Sequence, residues 1–136
     1  MSQNWVKDIN EMQYKYGVHK WIHDNRNNPD KLRKYLEFRV DFLQEELSET
    51  EAALINMDSE EIVDGLIDLC VVAIGTLDAF GVDPYKAWDE VLKANLAKEV
   101  GVKPERPNPM GLPDLIKPDD WEAPNHNDNH GKLNNI

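Results

Sequence analysis

Apolar residues recur at helical spacing along most of the first hundred positions. Leu32, Leu36, Val40, Leu43, Leu47 and Leu54 form one stripe. With Asn28-Pro29 as a start signal, they predict a helix running to about Met57. From Glu61 to Leu77 the apolar set is Ile62, Val63, Leu66, Ile67, Leu69, Cys70, Val71, Val72, Ala73, Ile74 and Leu77. At 3.6 residues per turn these cover most of the circumference, and a helix apolar nearly all round is expected to be buried. Its polar remainder is a narrow stripe of Glu61, Asp64, Gly65, Asp68 and Gly75. Asp58-Ser59 caps this helix, and Gly81 follows its end near Phe80.

Two further helices flank this pair. Trp5, Ile9, Met12 and Tyr16 share one face of a helix over residues 4–16, stopped by Gly17. Residues 18–28 read as a loop or a short broken helix. Asp83-Pro84 opens another helix, with Tyr85, Trp88, Val91, Leu92 and Leu96 on its apolar face, running to about Val100 before Gly101. No stretch alternates with the period of two that a strand requires. Four helices with short connections predict an all-α, four-helix antiparallel bundle. The third helix is more apolar than three partners in a small monomer would cover, so a homodimer or homotetramer is expected. Residues 1–101 form the expected helical core. Residues 102–136 form a Pro-rich extended arm, with Leu112, Leu115, Ile116 and Trp121 as anchors and a loose final ten residues.

The polar positions carry the chemistry. Glu45-Glu46-x-x-Glu49 lies near the end of one helix, and Glu61-x-x-Asp64, with Asp68 a turn further, opens the next. Spacings of three and four bring side chains onto one face. Glu46 and Glu49 lie beside the leucine stripe, in line with Tyr35, Phe42 and Ala53. Carboxylates crowded at a core boundary are costly unless a cation compensates them. Such hard oxygen donors suit magnesium, or manganese in its place. The plainer alternative is that both acidic faces meet water.

The remaining features narrow the class. The 136 residues suit one domain. A net charge of −11 argues against a protein that grips duplex nucleic acid or an anionic membrane. It is compatible with anionic substrates taken through bound metal. The single cysteine, Cys70, reads as core filling, and one thiol rules out an intrachain disulfide, as suits a reducing cytoplasm. No signal peptide and no 18-residue apolar run is visible, so a soluble protein is expected. Trp21 would stack on a base or tuck against the core. His19 and His23, four apart, and His126-x-Asp128-x-His130 are weak metal patterns. There is no Glu-x-x-His motif of a di-iron bundle and no Walker loop.

The Glu45-Glu46-x-x-Glu49 and Glu61-x-x-Asp64 pair resembles the signature of the MazG-like all-alpha NTP pyrophosphohydrolase superfamily. That group includes dimeric dUTPases, dCTP pyrophosphatases and phosphoribosyl-ATP pyrophosphohydrolase. Asp64-Gly65-Leu66-Ile67-Asp68, Gly75-Thr76, Asn95-Leu96-Ala97-Lys98, Lys103 and Pro113-Asp114-Leu115 are similar to the short single-domain forms of phages and bacteria. The resemblance spans roughly residues 5–118. It departs from the family pattern at Met12-Gln13, where many relatives carry an aromatic and a histidine.

The resemblance implies hydrolysis of a nucleoside triphosphate to monophosphate and pyrophosphate, the substrate being a deoxynucleotide such as dGTP. It implies that Glu46, Glu49, Glu61 and Asp64 hold two or three Mg²⁺ or Mn²⁺ ions. Glu45, with Glu46 beside it, would be catalytic, Glu45 binding a further ion or acting as base. Asp68 would be an extra ligand or would support one. Asn95 and Lys98 would contact sugar and phosphates, with Lys103 reaching in from the arm and Trp21 as a base-stacking candidate. It places the protein in the cytoplasm of a bacterium or a phage-infected cell. A non-catalytic nucleotide-binding or structural bundle is the alternative, and turnover separates the two.

Overall fold

The computed structural model describes residues 2–106, 109–110 and 114–136. Leu112 and Pro113 lie outside the described residues. Among the described residues the protein is all-α with five α-helices: α1 Trp5–Lys15, α2 Val18–Asp24, α3 Pro29–Ile55, α4 Ser59–Ala79 and α5 Pro84–Leu96. The fifth arises because the stretch after Gly17 forms a helix of its own, burying Ile22. A two-stranded ribbon follows, β1 Glu99–Gly101 against β2 Asp114–Ile116, antiparallel with Val100 opposite Leu115. The ribbon is too short for a period of two to register in the sequence, and it ends α5 earlier than expected.

The chain forms two compact units. One is Met1–Pro84 with His130–Ile136, and the other is Tyr85–Asn129. In the first, helix starts follow local chemistry. The side chains of Asn4, Asn28 and Asp58 accept hydrogen bonds from the backbone N–H of Lys7, Lys31 and Glu61. The core of this unit is Ile22, Leu32, Ala79 and Phe80, with Val18, Tyr35, Leu36 and Leu133 packed around it.

Leu133 belongs to the last ten residues, which do not hang loose. Gly131–Asn135 forms a 3₁₀ turn. The Lys132 backbone N–H donates to the Phe80 carbonyl at 2.6 Å, and the Asn135 amide donates to the Arg26 carbonyl at 3.2 Å. Composition predicted a polar tail, but one leucine and two hydrogen bonds suffice to dock it.

Helices α3 and α4 run antiparallel, since Thr50 meets Gly65 while Arg39 meets Thr76. The face of α3 turned inward is not the leucine stripe as a whole, although Leu32 is buried and Leu36 and Leu43 are half-buried. It is the line of Leu32, Tyr35, Arg39, Phe42, Glu46, Thr50 and Ala53, all buried or half-buried. On α4 the inward line is Gly65, Asp68, Val72, Gly75 and Ala79. The glycine-bearing polar stripe of α4 therefore faces α3. A Cβ on Gly65 would lie 2.2 Å from Thr50 Oγ1, so only glycine allows this approach. Part of the apolar remainder turns outward, while Ile62, Leu69, Val71, Ile74 and Leu77 are half-buried. Val63 is 64% exposed and Leu66 52% exposed, and Val40, Leu47 and Leu54 of α3 are exposed as well. The expectation of a buried α4 is thus corrected for the single chain: its polar stripe packs against α3, α1 and α2 meet its C-terminal half, and Val63, Leu66 and Ile67 stay exposed.

Candidate functional site

Glu46 sits in the α3–α4 seam because its helix must turn that line of residues toward α4 to pair Thr50 with Gly65. The Thr50 hydroxyl donates to the Glu46 backbone carbonyl at 2.8 Å, tying the residue to the close approach. The Glu46 side chain is half-buried. Its Oε2 is buried and has no hydrogen-bond partner. Burial first, and then the charges of Glu49, Asp68, Glu45 and Asp64, push its carboxyl above the ordinary glutamate value. Five of the carboxylates singled out from the sequence are therefore electrostatic neighbours, drawn from both helices.

Among the described residues, no three His, Cys, Asp or Glu side chains converge closely enough to form a metal cage as they stand. The donor set nonetheless fits a hard cation: oxygen ligands only, one of them buried without a partner. Glu61 stands at the first turn of α4, its backbone N–H held by the Asp58 cap, exposed and a turn before Asp64.

A second polar cluster lies further along the same helix pair, and sequence reasoning missed it. Asp78 is only 8% exposed. The Asn10 amide donates to Asp78 Oδ1 at 2.7 Å, and His19 Nε2 lies 2.8 Å from Oδ2. The latter contact is an ion-pair distance without good hydrogen-bond alignment, so Oδ2 counts as unbonded despite the nearby ring. Tyr14 stacks on His19 with ring centroids 3.9 Å apart. His19 thus serves Asp78 and does not form a metal pair with His23.

Gln13, the departure from the family pattern, donates to the Gly75 carbonyl at 2.8 Å. Arg39 donates to the Thr76 hydroxyl and to the Val72 carbonyl, at 2.9 and 3.0 Å. The only sequence signal for this cluster was polarity on otherwise apolar faces: Asn10 beside Ile9, and Asp78 beside Ala79 and Phe80.

Trp21, on α2, is partly exposed, and its ring centroid lies 5.4 Å from that of Tyr35, which in turn lies 5.8 Å from Phe80. It is the outer member of an aromatic row that begins in the core. In the second unit, Asn95 is exposed near the end of α5. The Lys98 ammonium sits 5.5 Å from the centroid of the Trp121 ring. Lys103 reaches Asp114 at 4.0 Å, alongside Arg106 at 2.8 Å. The Leu115 backbone N–H, then Arg106 and Lys103, hold Asp114 below the ordinary aspartate value. The weak pattern near the C-terminus is divided among other partners: Asp128 pairs with Lys86, and His130 Nδ1 lies 3.1 Å from Asn134 Oδ1. No single helix among the described residues is long and apolar enough to cross a membrane.

The family model for phosphoribosyl-ATP pyrophosphohydrolase matches residues 16–95. That span runs from the end of α1 to the last turn of α5 and contains every carboxylate of the seam. No curated protein and no solved structure matches the chain.

Proposed function

The chain belongs to the phosphoribosyl-ATP pyrophosphohydrolase family, within the MazG-like all-alpha superfamily, and from that premise we propose that it hydrolyses a nucleoside triphosphate to monophosphate and pyrophosphate. The observation that carries this reading is Glu46, whose buried oxygen lacks a partner while four other carboxylates surround it. An all-anionic cluster at a helix seam is costly to maintain without a positive ligand.

Glu46, Glu49, Glu61 and Asp64 would hold Mg²⁺, or Mn²⁺ in its place, with Asp68 supporting them. When bound, such ions neutralise triphosphate oxygens and acidify a water. Glu45 accepts the proton of the water that attacks the α-phosphorus. The bond between the α-phosphorus and the bridging oxygen breaks, and pyrophosphate leaves with that oxygen. Asn95 and Lys98 contact sugar and phosphates, and Lys103 joins them from the arm. Trp21 is the candidate to stack on the base, and a deoxypurine such as dGTP is the favoured substrate.

The exposed apolar residues on α3 and α4 support assembly as a homodimer or homotetramer.

The deciding experiment is pyrophosphate release from a panel of NTPs, dNTPs and phosphoribosyl-ATP with Mg²⁺ or Mn²⁺, beside Glu49→Ala. Release from one or two nucleotides, lost in the variant and in chelator, establishes the reaction and names the base. Silence across the panel with both metals removes the reading and leaves a nucleotide-binding or structural bundle.

A further inference from the structure

Two kinds of lysine occur in the unit Tyr85–Asn129. Lys86 and Lys103 each face a carboxylate, Asp128 and Asp114. Lys98 and Lys117 instead lie over the ring of Trp121, their ammonium nitrogens 5.5 and 4.7 Å from its centroid. Among the described residues neither stands within ion-pair distance of a carboxylate. The difference matters chemically. A carboxylate neutralises an ammonium and competes with any incoming anion. An aromatic face holds the ammonium through its quadrupole and leaves the full charge, with the N–H donors directed away from the ring, available to an anion.

Trp121 is itself fixed. Its indole N–H donates to the Ala94 carbonyl at 2.7 Å. Ala94 is buried in the last turn of α5, where carbonyls lack partners within the helix. The Trp121 backbone N–H closes a turn onto the Pro118 carbonyl at 3.0 Å. The ring is therefore a platform anchored to the end of the helix that precedes Lys98. Two ammonium groups on one indole repel each other, and a polyanion that contacts both relieves that repulsion.

We propose that Trp121 is a positioning residue that presents Lys98 and Lys117 together as a paired cation site for the triphosphate chain, Lys117 being an added phosphate contact. Both Trp121 and Lys117 lie beyond the 16–95 span of the family match. The inference rests on the pyrophosphohydrolase reading for the nature of its ligand.

The test is a double-mutant cycle on the full chain, read two ways: calorimetric binding of inorganic triphosphate, and KM against kcat for the best nucleotide. Trp121→Ala, Lys98→Ala and Lys117→Ala are each expected to weaken triphosphate binding and raise KM roughly three- to tenfold, with kcat held within about twofold. Trp121→Phe keeps a ring and is expected to retain most of the affinity, so a folding defect in the alanine variant does not decide the matter. The double variant Trp121→Ala/Lys98→Ala should lose less than the sum of the two single losses, and Trp121→Ala added to Lys98→Ala/Lys117→Ala should weaken binding no further.

Full additivity of the two substitutions, or unchanged binding in Trp121→Ala, overturns the inference while leaving hydrolysis by the wild type intact. Wild-type protein that binds triphosphate through Trp121 but releases no pyrophosphate removes the hydrolase reading and leaves this site standing. Wild-type protein that binds no triphosphate removes both.

Discussion

Glu46 and Asp78 are acidic residues on the same helix pair, each with a buried oxygen, and their surroundings are opposite. Asp78 has an amide donor from Asn10 and the His19 ring, itself braced by Tyr14. Glu46 has Glu45, Glu49, Asp64 and Asp68. The first is a polar contact that joins α1 and α2 to α4, with an amide donor and a ring nitrogen supplied by the chain itself. The second is an arrangement that the chain alone leaves electrostatically unfavourable. The cation of the proposed reaction would offset that cost.

Substitutions should separate the two sites by sign. Asp78→Ala leaves Asn10 and His19 without their partner and is expected to destabilise the fold by about 2–4 kcal/mol, measured by urea denaturation. Equal stability to the parent would show that the cluster is not a structural tie. Gly65→Ala drives a methyl group into Thr50 and should cost about 1–3 kcal/mol. If Gly65→Ala/Thr50→Ala, which removes the hydroxyl that the new methyl group meets, recovers activity along with stability, the seam spacing is what positions the carboxylates.

Glu46→Gln is the reverse case. It removes one of five crowded charges and should leave the metal-free fold slightly more stable at neutral pH, by less than about 1 kcal/mol, while pyrophosphate release is lost. A destabilised and still active variant would end the contrast.

The smallest effect is the pH dependence of that gain. The Glu46 carboxyl is raised in the folded state, so the native protein binds its proton more readily than the unfolded chain. Stability from this group is fully present below the ordinary glutamate value and is lost as pH rises through the raised one. The advantage of Glu46→Gln over the parent should therefore grow across that window and stay flat below it, as followed by thermal melts in chelator.

Much of this was legible in the sequence. The caps at Asn28 and Asp58, and the carboxylate spacing, rest on local chemistry that neighbouring residues determine. What misled was the assumption that the most apolar stripe faces the nearest partner. Leu47 and Leu54 point away, whereas Glu46, Thr50 and Gly65 face the seam, because close approach there depends on residue size as well as hydrophobicity. The His19–Asp78 contact spans 59 residues and has no local signature. Docking of the last turn depended on Leu133 alone among polar neighbours.

That docking sets an order of events. The first unit is built from two pieces of chain, with all of Tyr85–Asn129 synthesised between them. The Phe80 carbonyl and the Ile22–Leu32 core wait for Lys132 and Leu133, so the helical unit closes last even though its helices are made first.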